Sequence, residues 1–157
     1  MIQRIQSVYL FLSMLLLSVL LSGIEIVSFS NGESESVFSV FGLFLLDRKS
    51  GILHPDLAFP YYFFVILLIL FHALTLFRFK KLKSQLKLAQ YTFLAYVILG
   101  LVLLIYALVG NELLLEGSIM KPGVGLFMFL AGIPCTFLAV RSIKKDKSLI
   151  DSVDRIR

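Results

Sequence analysis

Apolar residues run without a charge through four segments of the chain, 7–24, 59–77, 91–109 and 122–140, and polar residues crowd the stretches between them. The first run has 18 residues and the others 19 each. At ~1.5 Å per residue a helix of that length spans roughly 27 to 29 Å, close to the ~30 Å hydrocarbon core of a bilayer. Lipid offers no hydrogen bonds, so a spanning segment must satisfy its own backbone, and runs this long predict helices. The pattern predicts an all-α membrane protein: one domain over 1–157 built as a bundle of four transmembrane helices, with an outer loop at 25–58 and a tail at 141–157.

Between the first two runs the period changes. Ile24, Ile26, Ser28 and Ser30 alternate with Glu25, Val27 and Phe29, Asn31-Gly32 supplies a turn, and 37–46 is rich in β-branched and aromatic residues. This predicts a β-hairpin. A second turn at 47–51 sends the chain back towards Pro55 and Pro60. An isolated hairpin is marginal in water, so Phe38, Phe41 and Phe44 need cover from the helices, the membrane interface or a partner. The three are candidate partner contacts.

Charge gives the expected orientation. With the N-terminus cytoplasmic, twelve basic residues fall inside (Arg4; Arg78, Lys80, Lys81, Lys83, Lys87; Arg141, Lys144, Lys145, Lys147, Arg155, Arg157) and three outside (Arg48, Lys49, Lys121). That is the bias of the positive-inside rule, and it puts both termini in the cytoplasm. The net charge of +5 is accounted for by topology and anionic inner-leaflet lipid, so no nucleic-acid partner is expected. The first run reads as an uncleaved anchor, because Ser22 and Gly23 follow Leu20 and Leu21 rather than the small residues of a signal-peptide cleavage site.

Small residues mark where helices approach. Gly125, Gly132 and Ala139 recur every seven residues in the fourth run, Gly100 and Ala107 do so in the third, and Ser18 and Ser22 lie four apart at the end of the first. Pro134 interrupts the fourth helix and frees the Leu130 carbonyl, with Thr136 placed to help satisfy the backbone. Beyond the last run, Ser148 and Asp151 have the spacing of a capping box, and Leu149, Val153 and Ile156 fall on one face. The tail is thus expected to form a short amphipathic helix that lies against lipid or a partner, with an Arg4–Asp154 contact joining the termini.

Chemistry-bearing residues are sparse. His72 is the one titratable group well inside a span, where an ionisable side chain raises a functional hypothesis by default. The other histidine, His54, lies in the outer loop and Cys135 is the sole cysteine, so neither a metal site nor a haem site is expected. His72, Thr75 and Thr136 form the candidate intramembrane polar site, with no catalytic or cofactor-binding residue assigned.

The ends of the chain, Met1-Ile2-Gln3-Arg4-Ile5-Gln6 and Ile143-Lys144-Lys145-Asp146 through Asp154-Arg155-Ile156-Arg157, resemble those of small four-helix inner-membrane proteins of Bacteroidota catalogued as a domain of unknown function, number 4293. That resemblance implies four helices and a bacterial inner-membrane location, and carries over no activity, substrate or cofactor. The expected function is non-enzymatic: an accessory subunit or assembly factor with membrane lipids and a membrane-protein partner, or a second copy, as its contacts. The alternative is a small transporter, lipid-binding or proton-linked protein with a cavity near His72 and Pro134.

Overall fold

The computed structural model describes residues 3–30, 34–47, 53–57, 61–79, 81–114 and 119–154, and the side chains of 5–30, 35–44, 61–79, 81–106 and 119–152. Four helices, α1 (Gln3–Leu20), α2 (Tyr61–Phe77), α3 (Leu82–Leu114) and α4 (Val124–Asp154), carry a small antiparallel sheet at one end. α1 packs on α2 and α4, and α3 packs on the same two helices.

Buried positions step by alternate fours and threes along every helix: 6, 10, 13, 17, 20 on α1; 61, 65, 68, 72, 75 on α2; 85, 89, 92, 96, 99, 103 on α3; and 125, 129, 132, 136, 139, 143, 146 on α4. A seven-residue repeat of this kind is the signature of helices crossing at a shallow left-handed angle. Apolar residues are not confined to the buried faces, and polar residues are not excluded from them. On α2, Phe63, Leu70, Leu74 and Phe77 are exposed while His72 and Thr75 are buried. Hydrophobicity surrounds these helices, so the polar residues pick out the inner face.

α3 and α4 are long and apolar enough to cross a membrane, whereas the apolar parts of α1 and α2, Ile5–Leu20 and Tyr61–Phe77, are shorter. Of the four expected spans, two therefore meet that length. α4 also overturns the separate tail helix. It runs unbroken to Asp154 because nothing after Pro134 interrupts it, and Ser148 is no cap: its Oγ donates to the Lys145 carbonyl one turn back at 2.7 Å. The Arg4–Asp154 contact falls outside the described side chains.

The sheet has five strands in the order β4-β3-β2-β1-β5, with β1 Val27–Ser30, β2 Ser34–Ser39, β3 Gly42–Asp47, β4 Leu53–Leu57 and β5 Ile119–Pro122. The run 37–46 is two strands instead of one. Gly42, at a φ of 136° that side chains disfavour, lets the chain reverse through Val40 and Phe41, so that Ser39 faces Gly42. The expected turn at Asn31-Gly32 lies outside the described residues. β5 comes from the segment before α4 and pairs Val27 with Pro122. Both edge strands contain a proline, Pro55 and Pro122, at positions where a missing N–H is tolerated.

One face of the sheet packs on the helices. Ile26, Val27, Phe29, Phe38, Val40 and Leu43 are buried in one cluster with Leu17, Leu20, Tyr61 and Val65 of the helices. Phe38 is thereby corrected from a partner contact to a core residue, its ring 4.7 Å from that of Tyr106 and 6.1 Å from that of Tyr61. Phe41 is exposed beside Tyr62, and Phe44 is half-buried.

Candidate functional site

The helical seam divides into an apolar half against the sheet and a polar half towards the chain termini. In the first half Leu17, Leu20, Val65, Leu99, Leu103 and Phe129 fill the inner positions. In the second the same positions hold Gln6, Ser13, His72, Thr75, Gln85, Thr92, Thr136 and Asp146, all buried. Buried polar groups are costly without partners, and the hydrogen bonds of this half account for most of them.

His72 is the hub. One ring nitrogen, Nδ1, lies 2.8 Å from the Leu68 carbonyl one turn back. A carbonyl only accepts, so Nδ1 carries the proton and, in the neutral ring, Nε2 is an acceptor. Nε2 meets two hydroxyls, Ser13 Oγ at 3.1 Å and Thr136 Oγ1 at 3.0 Å. These hydroxyls lie 2.8 Å apart, and both reach the Gly132 carbonyl, at 3.2 and 2.9 Å. Three helices thus converge on one imidazole. The ring of Tyr96, from α3, stands edge-on to His72 at 5.9 Å and donates its hydroxyl to the Phe129 carbonyl at 3.1 Å. The arrangement has a chemical property of its own: the hydroxyls donate to Nε2 of a neutral ring, or accept from it and donate to Gly132 when it is protonated.

Thr75, expected beside His72, belongs to a separate group. Its hydroxyl donates to the Phe71 carbonyl at 2.8 Å and lies 3.4 Å from the Thr92 hydroxyl, while Gln85 Nε2 donates to the Thr75 carbonyl at 3.2 Å. Thr136 does not serve the carbonyl freed by Pro134, because its hydroxyl is committed to Gly132 and His72. Pro134 itself is on the exposed face of α4. Closer to the termini, Gln6 Nε2 donates to Asp146 Oδ2 and so ties α1 to α4. Burial lifts the Asp146 carboxyl above its ordinary value, opposed by the neighbouring Lys145 and by the Gln6 bond.

The small residues sort unequally. Gly125, Gly132 and Ala139 are buried on α4. Gly125 touches the backbone of the segment after α1, where a Cβ would come within 2.8 Å of the Glu25 carbonyl oxygen. Gly100 accommodates the Phe129 ring, and the Ala107 side chain lies outside the described residues. Ser18 and Ser22 are corrected: both are exposed and bond carbonyls of their own chain segment, Met14 and Val19. The buried serine of α1 is Ser13, which the spacing of Gln6 and Ser13, seven apart, could have revealed. Leu149 is exposed on α4, whereas the side chains of Val153 and Ile156 lie outside the described residues.

Among the described residues no group of three or more His, Cys, Asp or Glu is placed to hold a metal ion. Two apolar grooves flank α3, one between it and α2 and one between it and α4, and neither is lined by His72 or Pro134. No curated protein matches the chain. Its sequence matches the family described as a domain of unknown function, DUF4293, over residues 2–156, and the chain belongs to that family.

Proposed function

We infer that this chain is a non-enzymatic integral protein of a bacterial inner membrane, with both termini cytoplasmic, acting as an accessory or assembly subunit through contacts made within the bilayer. The apolar outer faces of the helices, with polar groups held inside, carry the reading. Apolar side chains cover the outside of α2, α3 and α4, while His72, Thr75, Thr92 and Thr136 are buried. In water that arrangement would be costly; in lipid it is the expected one. α1 and α2 lie at the lower end of spanning lengths, ~17 residues and upward, and the charge bias supports four crossings. Because Val27, Phe29, Phe38 and Leu43 of the sheet are buried against the helices, the broadest apolar surface left for a partner is the outward side of the helices.

The test is native mass spectrometry of the full chain taken from its own membranes into nanodiscs at natural expression level. A stoichiometric partner chain is the expected result. Recovery as a lone chain that carries a small polar molecule overturns the reading.

A second reading, proton-linked transport, rests on one observation: Ser13 and Thr136 satisfy His72 Nε2 whether or not it bears a proton. Proton flux into liposomes that disappears with His72→Gln would support it. Identical flux in the variant would exclude His72 as the carrier.

A further inference from the structure

Two features of the α2–α3 face share one stripe. On α2, Phe64, Leu67 and Phe71 lead by threes and fours through Leu74 to Arg78; on α3, Val102, Ile98 and Ala95 lead through Tyr91 and Leu88 to Ser84. Arg78 keeps the helical register, its N–H bonding the Leu74 carbonyl at 3.2 Å. Towards the sheet, Phe64, Phe71, Ala95 and Ile98 help line an apolar groove of about 350 Å³. It opens outward, with Phe64 41% and Ile98 52% exposed. At the other end Arg78, Lys81 and Ser84 line a pocket, and Lys81 and Ser84 line a second beside it with Lys83, Lys147 and Asp151. Four cations thus face a single carboxylate. Arg78 Nη1 donates to Ser84 Oγ at 2.9 Å and bridges the two helices at this point.

The spacing of these features is that of an amphiphile. Along the helix Phe71 lies about 10 Å from Arg78 and Phe64 about 21 Å, at ~1.5 Å per residue. Half of a bilayer ~40–45 Å thick, headgroups included, is the same ~21 Å. We propose that this stripe binds one anionic phospholipid, its phosphate held by Arg78, Lys81 and Ser84 and one acyl chain lying in the groove between α2 and α3. The proposal rests on the membrane reading above. A second copy of the chain fits the stripe less well, because it would bring an equally basic end to the same level.

The experiment is native mass spectrometry of the full chain in mild detergent with an equimolar mixture of phosphatidylglycerol and phosphatidylcholine. Preferential retention of phosphatidylglycerol is expected, with the preference falling about fivefold for each cation removed in Arg78→Gln and Lys81→Gln. Both positions are exposed, so the thermal midpoint should fall only slightly, the lost Arg78–Ser84 bond included. Ile98→Trp, which fills the groove, should lower retention of both lipids. Equal retention of the two lipids by the native chain, or an unaltered preference in the Arg78→Gln/Lys81→Gln double variant, overturns the proposal. So does displacement by equimolar inorganic phosphate, which would assign the pocket to a soluble anion, and so does efficient disulfide dimerisation of Ile98→Cys in membranes, which would assign the groove to a second copy. Loss of the chain from the carbonate-resistant membrane fraction refutes the membrane reading itself, whereas absent lipid preference in a membrane-embedded chain refutes the lipid site alone.

Discussion

Tyr96 lays its hydroxyl directly over Gly132, so that a methyl group at Gly132 would overlap the phenol oxygen and sit 2.9 Å from the ring carbon bearing it. The same hydroxyl bonds the Phe129 carbonyl at 3.1 Å, which holds the ring in place. Gly132→Ala should therefore cost about 1–3 kcal/mol, the usual range for overpacking. Tyr96→Phe removes the oxygen but leaves the ring carbon, so the double variant should recover only part of that loss. Denaturant titration in detergent reads the cycle, and full additivity would show that the two residues do not meet.

His72 Nε2 has two hydroxyl neighbours and needs one. Ser13→Ala and Thr136→Val should each be mild, because the other hydroxyl remains. Together they leave a buried acceptor unpaired at a cost of about 1–3 kcal/mol. The double variant should lose clearly more than the sum of the singles, and a strictly additive result would mean the hydroxyls do not share the imidazole.

Asp146 makes stability depend on pH. Its carboxyl is lifted above the ordinary 3.8 by burial, so between that value and the lifted one the folded chain holds more proton than the unfolded chain. Stability then falls as pH rises through this window and stays lower above it. Asp146→Asn removes the ionisation and offers an N–H to Gln6 Oε1, which has no hydrogen-bond partner among the described residues. The variant should be at least as stable as the native chain near neutral pH, with the advantage shrinking as the pH drops towards the carboxylate range. A pH-independent difference in thermal midpoint would contradict this.

Phe38 and Phe41, three positions apart, should respond very unequally to truncation. Phe38 is 1% exposed and wedged between aromatic rings, so Phe38→Ala should cost about 3–5 kcal/mol. Phe41 is 46% exposed, and Phe41→Ser should cost under about 1 kcal/mol. If Phe41→Ser matched Phe38→Ala in unfolding measurements, the sheet would be seated differently on the helices.

How far these features are legible in the sequence depends on what surrounds each residue. The helices announce themselves by length, and the strands after Val27 by alternation and turn residues. Gly125, Gly132 and Ala139 show the inner face of α4 because small residues at a seven-residue period have no other common cause. The inner faces of α1 and α2 are harder to read, since leucine and phenylalanine occupy every side and hydrophobicity has no direction there. The few polar residues supply the direction, and Ser13 becomes visible only as the partner of Gln6 in the repeat. β5 is hidden because Pro122 next to an apolar run looks like a helix start, whereas Gly123 separates the two and its N–H bonds the Ile26 carbonyl at 2.9 Å. Nothing local predicts a strand whose partner lies about 90 residues away in the chain.

That strand sets the order of assembly. β1 and its partner β2 are adjacent in the sequence, whereas the partner of its other edge, Ile119–Pro122, follows α3, so that edge has no partner before α3 is complete. The last helix therefore joins the rest through a backbone ladder as well as by packing, and a chain halted after α3 would display an unpaired strand edge, a template for aggregation. Pairing with β5 thus moves the open edge of the sheet from Val27–Ser30 to Ile119–Pro122, where Pro122 blunts it.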